Sequence, residues 1–261
     1  MKQYNALANV YDRFQGNINF SSWAKFLQDI YEKYAGEACL ENPGMGARSL
    51  AVDLGCGSGK LAIQLADMGW HVVAVDAADE MLEVAAYHAQ EHFGEKEMPI
   101  YFFQEDITDL DLPMTVNLAY TSLDTINHIE ASALEGMFKQ LKKTMKPGAV
   151  LCFDLLQWSY MEKAFHEEVY YDVTDEYAVL WQNNLSMEKQ ENLASISVFV
   201  LQDNGFYTRE DIEIVEYYHN PAAIMSILED IGFRVEEIQL AEEYYTDLQG
   251  QNRHFIVAVK D

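Results

Sequence analysis

Positive charge is what this sequence has least of. Its 17 lysines and arginines face 43 aspartates and glutamates, a formal net charge of -26 over 261 residues. Nucleic-acid binding rests on clustered cations that replace counterions along the phosphates, so no nucleic-acid partner is expected. The acidity itself reads first as a source of solubility. Cysteine is nearly as scarce. Cys39, Cys56 and Cys152 are widely spaced and form no CxxC pair, which predicts reduced thiols, no disulfide and no structural zinc. The HExxH pattern of a zinc hydrolase is absent, and no metal is expected. No apolar run reaches the length of a membrane span, and the opening "MKQYNALANVYDRF" lacks the basic start and apolar centre of a signal peptide. A cytoplasmic protein with no membrane association is the expectation. With 49% hydrophobic and 23% charged residues the composition is that of an ordinary globular chain, long enough for one full core.

From residue 50 onward short apolar runs alternate with amphipathic stretches, the pattern of an α/β fold with a mostly parallel sheet. "SLAVDL", "HVVAVD", "IYFFQED" and "VNLAYTS" read as the first four strands. "AVLCFDLL" reads as the fifth, after a helix over 131–145 and a turn at Lys146-Pro147-Gly148. Runs this continuously apolar predict strands buried on both faces, as in a doubly wound, Rossmann-like sheet. After Gln157 the rhythm changes. Residues 168–218 are rich in Tyr, Val, Phe and Thr and contain Asn204-Gly205, a strong hairpin signal, so an antiparallel β insertion is expected over 157–218. A helix at "PAAIMSILEDIGF" and strands near "RVEEIQL" and "HFIVAVK" return to the main fold, completing seven strands. Upstream, "YNALANVYDRF" and "SSWAKFLQDIYEKYAG" read as two helices capping the sheet edge over 1–38. The main domain is thus expected to comprise 1–156 and 219–261.

The stretch "VDLGCGSGK" (52–60) carries glycines at 55, 57 and 59. A phosphate-binding GxxxxGK loop fails, because Leu54 stands where its first glycine belongs. A dinucleotide GxGxxG matches only in part, because Lys60 stands at its third glycine. Asp53 puts a carboxylate at the strand end, which repels a pyrophosphate and favours a cationic ligand. Asp76 ends the second strand, where a carboxylate can accept from both ribose hydroxyls, and Glu105-Asp106 ends the third, near where an adenine amine would lie. A ribose with a positively charged neighbour and no required phosphate describes S-adenosylmethionine.

The ordered series "AVDLGCGSG", "VVAVDAADEML", "FFQEDI", "TSLDTINHI" and "MKPGAVLCFDL" resembles the class I S-adenosylmethionine-dependent methyltransferases, in their small-molecule form with a Tyr-rich amino-terminal cap and an antiparallel insertion after the fifth strand. The resemblance covers nearly the whole chain outside the insertion. It implies that Asp53, Gly55, Gly57 and Gly59 surround the methionine part of the cofactor and that Asp76 holds the ribose. It further implies that Met81 packs on the adenine or ribose, that Asp106 and the backbone at Ile107 hold the adenine edge, and that Tyr11, with Tyr4 beside it, closes over the cofactor. Ala78 departs from the family, which often has Ser there to start the next helix; Asp79 or Asp76 is the expected substitute cap.

In "TSLDTINHI", after the fourth strand, Ser122 and Asn127 are candidates for substrate binding and Asp124 and His128 for catalysis. Asp124 and Asn127 could equally cap and brace the next helix. His128 titrates near neutrality and could remove a proton from an acceptor amine or hydroxyl. Tyr170, Tyr171, Tyr177, Trp181, Phe199 and Tyr207 could line an acceptor pocket or simply pack the insertion. The expected acceptor is a small molecule, methylated on N, O or C. A protein that binds S-adenosylmethionine without transferring it, or a nicotinamide-dependent oxidoreductase, is the alternative; monomer and homodimer are both open.

Overall fold

The computed structural model describes residues 12, 18–37, 39, 49–166 and 169–261. The expected cap residues Tyr4 and Tyr11 lie outside these. The first helix, α1 (Phe20–Tyr34), is capped by Asn19, whose side chain accepts from the Ser22 amide. Its apolar residues recur at helical spacing, so one face carries Trp23, Phe26, Leu27, Ile30 and Tyr31 into the core. There Phe26 meets Phe255 edge-on at 5.5 Å and Tyr31 meets Trp70 at 4.8 Å.

Strands and helices then alternate: β1 (Leu50–Leu54), α2 (Lys60–Asp67), β2 (His71–Asp76), α3 (Asp79–Phe93), β3 (Ile100–Gln104), β4 (Val116–Tyr120), α4 (Ala131–Thr144) and β5 (Met145–Leu156). After β5 come α5 (Trp158–Ala164), β6 (Val169–Val173), β7 (Tyr177–Ser186), β8 (Glu191–Leu201) and β9 (Tyr207–Tyr217). The chain closes with α6 (Pro221–Asp230), β10 (Phe233–Ile238), α7 (Glu242–Tyr245) and β11 (Arg253–Lys260). Seven strands form the main sheet in the order β10-β11-β5-β4-β1-β2-β3, with β11 antiparallel to both its neighbours. Strand order reverses between β1 and β4, so the crevice beyond their carboxyl ends is where this topology places a ligand. None of the described helices is long and apolar enough to cross a membrane.

Two local expectations are corrected. Every residue of β1 and β4 is buried, but β3 lies at the sheet edge and only Ile100 of it is buried, because no strand among the described residues pairs with its far side. Lys146-Pro147-Gly148 is not a turn before β5 but a bulge inside it: Met145 pairs with Val116 and Val150 with Leu118. Gly148, at φ +75°, approaches Gly36 so closely that a Cβ on it would meet the Gly36 Cα at 3.0 Å. The Asn204-Gly205 signal does produce the expected hairpin, in which Leu201 pairs with Tyr207 across a five-residue loop. The short helices α5 and α7 had no sequence expectation.

The second sheet, β6-β7-β8-β9, is wholly antiparallel and has a core of its own around Val179, Ala194, Ile196 and Ile214. It touches the main sheet's site through β9. There Asn127 Nδ2 donates to the Tyr217 carbonyl at 2.8 Å.

Candidate active site

The glycine loop leaves β1 by hydrogen-bonding to β2, with the amides of Gly55 and Cys56 donating to the Val75 carbonyl at 2.8 and 2.9 Å. Gly55, Gly57 and Gly59 all have positive φ, at +76°, +53° and +76°, a region that side chains with a Cβ disfavour. Two of them also allow close approach. A Cβ on Gly55 would meet the Thr125 methyl at 2.6 Å, and one on Gly59 would meet the Ala85 Cβ at 2.8 Å. The loop frames a cavity at the switch point, lined by Asp53, Gly55, Gly57, Asp76, Met81, Ile107, Ser122 and His128, together with Phe20, Leu123 and Thr125. Gly59 and Asp106 are not in that lining. Gly59 instead lets α3 pack against the start of α2.

Asp53 is 1% exposed, and its Oδ2 has no hydrogen-bond partner among the described residues. Burial pushes its carboxyl up to about 7, the nearby Tyr120 hydroxyl opposes the shift, and Asp76 adds to it. A buried carboxylate oxygen that lines a cavity unpartnered is an acceptor for a cationic ligand. Asp76 accepts from the Gly57 amide on Oδ2 and from the Ala78 amide on Oδ1, each at 2.9 Å; it thus reaches only the residue before α3, and the helix's first turn has no side-chain cap from either Asp76 or Asp79. The Asp76 carboxyl is pushed up by burial and partly restored by these amides. Each oxygen retains a lone pair for a further donor. Asp106 serves its own turn, with Oδ1 accepting from the Thr108 amide at 2.9 Å, and Glu105 accepts from the Asp111 amide.

Residues 121–129 divide this cavity from a second one of about 480 Å³, lined by Asp124, His128, Tyr160, Trp181, Glu216 and Arg253 among others. Leu123 and His128 line both cavities. Leu123 and Asp124 have φ of +56° and +62°, two consecutive non-glycine residues in the left-handed region. The strain is held in place by partners. The Asp124 amide donates to Asp154 Oδ2 at 3.1 Å, and Arg253 pairs with Asp124 at 2.8 Å and with Asp154. Asn127 is fully buried and lines neither cavity, because its amide group already serves the Leu156 amide and the Tyr217 carbonyl. His128 Nδ1 lies 3.3 Å from the Val215 carbonyl, to which it donates, and Nε2 lies 3.9 Å from Asp124 Oδ2.

Residues 51–148 match the family model of a methyltransferase domain. Over that stretch the chain is similar to a methyltransferase domain. Across 98% of its length it is 25% identical to a Geobacillus sp. (strain WCH70) protein provisionally named a methyltransferase, covering 99% of that protein. In fold it is similar to an S-adenosylmethionine-dependent methyltransferase from Clostridium acetobutylicum ATCC 824 (TM-score 0.74, 23% identity, 98% of each chain). It is also similar in fold to the amino pentose methyltransferase CalS10 of Micromonospora echinaspora, solved with its cofactor bound (TM-score 0.64, 15% identity, 97% of each chain).

Around the two cavities several residues join the site without having been singled out in the sequence. Phe20 and Thr125 line the first cavity, and Glu216 and Arg253 line the second. His88 and His92 stand one helical turn apart in "HAQEH", a spacing that can suit a metal. They face separate partners: His88 bridges the Ser58 carbonyl and Asp12, and His92 pairs with Asp67. Asp12 also pairs with Lys60 at 2.9 Å, tying a residue of the expected cap to the start of α2.

Proposed function

We propose that the chain moves a methyl group from S-adenosylmethionine, bound in the first cavity, to a small-molecule acceptor bound in the second. The observation that carries this reading is the buried, unpartnered Asp53 oxygen beside Asp76 in a cavity whose wall, Leu123 and His128, is shared with a larger one. Bound there, S-adenosylmethionine supplies a methyl carbon already activated by its sulfonium charge. The chain's own residues then have four tasks. Asp53 receives the cofactor's ammonium group and Asp76 its ribose hydroxyls, charge-assisted contacts that fix position along the crevice. Gly55 and Gly57 keep the loop free of side chains, while Gly59 sets the helix packing behind it. Met81 and Ile107 offer buried apolar surface to the adenine, with Asp106 shaping the turn that presents Ile107. On the acceptor side, Ser122 and Leu123 line the passage, and His128, held through Nδ1 by the Val215 carbonyl, takes a proton on Nε2 where the acceptor carries one. With the leaving group activated in advance, alignment and exclusion of water supply the remaining rate enhancement. Tyr11, outside the described residues, is assigned to closure over the cofactor.

Calorimetric titration with S-adenosylmethionine and, separately, NADH tests the reading. S-adenosylmethionine is expected to bind in the micromolar range, about -8 kcal/mol. Asp76→Ala is expected to weaken it about a hundredfold, as two hydrogen bonds to a charged acceptor are lost. Asp76→Asn, which keeps one acceptor oxygen, should weaken it less. Binding of NADH alone, or an Asp76→Ala variant with undiminished affinity, overturns the assignment.

A further inference from the structure

The second cavity carries more negative charge than its own cations neutralise. Three carboxylates gather at its floor: Asp124, Glu216 and, beneath them, Asp154. Among the described residues Arg253 is the one guanidinium or ammonium group lining it, and that group is already paired with both Asp124 and Asp154. Lys163 lines only a neighbouring hollow. Glu216 is left with a neutral partner, the Asn192 amide, which donates to its Oε2 at 2.9 Å. A carboxylate only 5% exposed, whose one hydrogen-bond donor is neutral, is costly to keep ionised: burial pushes its carboxyl up, with Asp124 adding to the shift and His128 and Arg253 only partly opposing it. A ligand that brings positive charge removes that cost. Trp181, Tyr160 and Phe165 supply the apolar and π-rich walls that suit an ammonium on a small organic frame, and a volume of about 480 Å³ falls within the range of small-molecule sites.

We propose that this cavity takes a small primary or secondary amine as the methyl acceptor, received as its ammonium ion beside Glu216 and Asp124. This rests on the methyltransferase reading above and names the substrate class for it. His128 completes the site. Asp124, His128 and Glu216 each bring a polar atom to within 4.8 Å of the others. The ammonium gives one proton to His128 Nε2: an N–H bond breaks on the ligand, an N–H bond forms on the imidazole, and the freed electron pair stays on the ligand nitrogen. The resulting imidazolium lies between Asp124 and Glu216, which stabilise it. The amine is then neutral, with the lone pair it needs as a nucleophile, in the cavity that shares Leu123 and His128 with the cofactor side.

The experiment uses the full chain saturated with S-adenosylhomocysteine and ligand-observed NMR with three matched probes, benzylamine, benzyl alcohol and benzoate. Benzylamine is expected to bind about tenfold tighter than either of the others, and Glu216→Gln is expected to remove that preference while S-adenosylhomocysteine affinity stays unchanged. If Glu216→Gln fails to fold by thermal melting, Asp124→Asn carries the same comparison. Equal binding of benzoate or benzyl alcohol, or no binding of benzylamine, overturns the proposal. So does displacement of benzylamine by Mg²⁺, which would make the Asp124, His128 and Glu216 cluster a metal site. If S-adenosylhomocysteine fails to bind while the amine preference and its dependence on Glu216 persist, the cofactor assignment fails and the cation site stands.

Discussion

Asp53→Asn separates binding from stability at a single atom. Burial raises the Asp53 carboxyl from 3.8 to about 7 in the folded chain. A shift of roughly three pKa units at about 1.4 kcal/mol each makes the ionised form about 4 kcal/mol costlier in the folded than in the unfolded state. The sign follows from proton counts. Between pH 4 and 7 the folded chain keeps a proton on Asp53 that the unfolded chain has lost, so stability declines as pH rises through this window and levels off above it. Asparagine cannot ionise and abolishes that decline. At pH 8 the variant should therefore be more stable than wild type by about 2–4 kcal/mol, after allowance for the amide's own desolvation, or about 5–10 °C in Tm. At pH 5 the gain should shrink by about 2.7 kcal/mol, to at most about 1 kcal/mol. The same substitution removes the charge that receives the cofactor's ammonium, so affinity for S-adenosylmethionine should fall about tenfold or more. Thermal melts from pH 5 to 8 at constant ionic strength, paired with calorimetry, measure both. A variant that melts below wild type at pH 8, or that gains equally at pH 5 and 8, refutes the account of Asp53 as a desolvated acid held for a ligand.

Gly55→Ala should cost about 2 kcal/mol or more in urea unfolding, because its Cβ meets the Thr125 methyl at 2.6 Å and its φ is +76°. Thr125→Ser removes that methyl and should recover about 1 kcal/mol of the loss in a double-mutant cycle. Asn127→Ala strips partners from the Leu156 amide and the Tyr217 carbonyl and should destabilise by about 2–4 kcal/mol in the same assay. Arg253→Met should cost about 3–5 kcal/mol by leaving buried Asp154 without its cation, and adding Asp154→Leu should restore most of that stability.

The main sheet was legible because its central strands are apolar runs set between amphipathic helices, and Asp76 could be placed because it ends one of them, β2. What escaped was set by distance and by phase. Gly59 has the spacing of a ligand glycine, but its neighbour is Ala85 on a helix whose approach no local pattern encodes. Asn127 has the look of a site residue, yet the insertion strand β9 turns it into a brace. Glu216 did leave a signal: in "IEIVEY" it falls in phase with Ile212 and Ile214, so an acid occupies the apolar face of a half-buried strand. Arg253 likewise opens the apolar run "RHFIVAVK" in a chain poor in cations. Neither signal says which cavity the side chain reaches, because the partners of Arg253 stand 99 and 129 residues earlier in the chain.

The cluster of Arg253, Asp154 and Asp124 is better explained by geometry than by stability. Buried ion pairs of this kind can be replaced by apolar residues of similar size at little cost in stability, so stability alone gives no reason to keep three charges under a cavity. Their contacts do something apolar residues cannot. Asp154 accepts the backbone amide of Asp124, and Arg253 grips the Asp124 carboxylate. Together they hold Leu123 and Asp124 in left-handed conformations that cost of order 1–3 kcal/mol each. Leu123 is one of the two residues both cavities share, and Asp124 stands 3.9 Å from Nε2 of the other, His128. The combined Arg253→Met and Asp154→Leu variant should therefore recover the stability lost by Arg253→Met alone without recovering turnover, and its affinity for S-adenosylmethionine should match wild type. Recovery of turnover along with stability would show that the wall between the cavities keeps its shape without the charges, and their presence would then lack a functional reason.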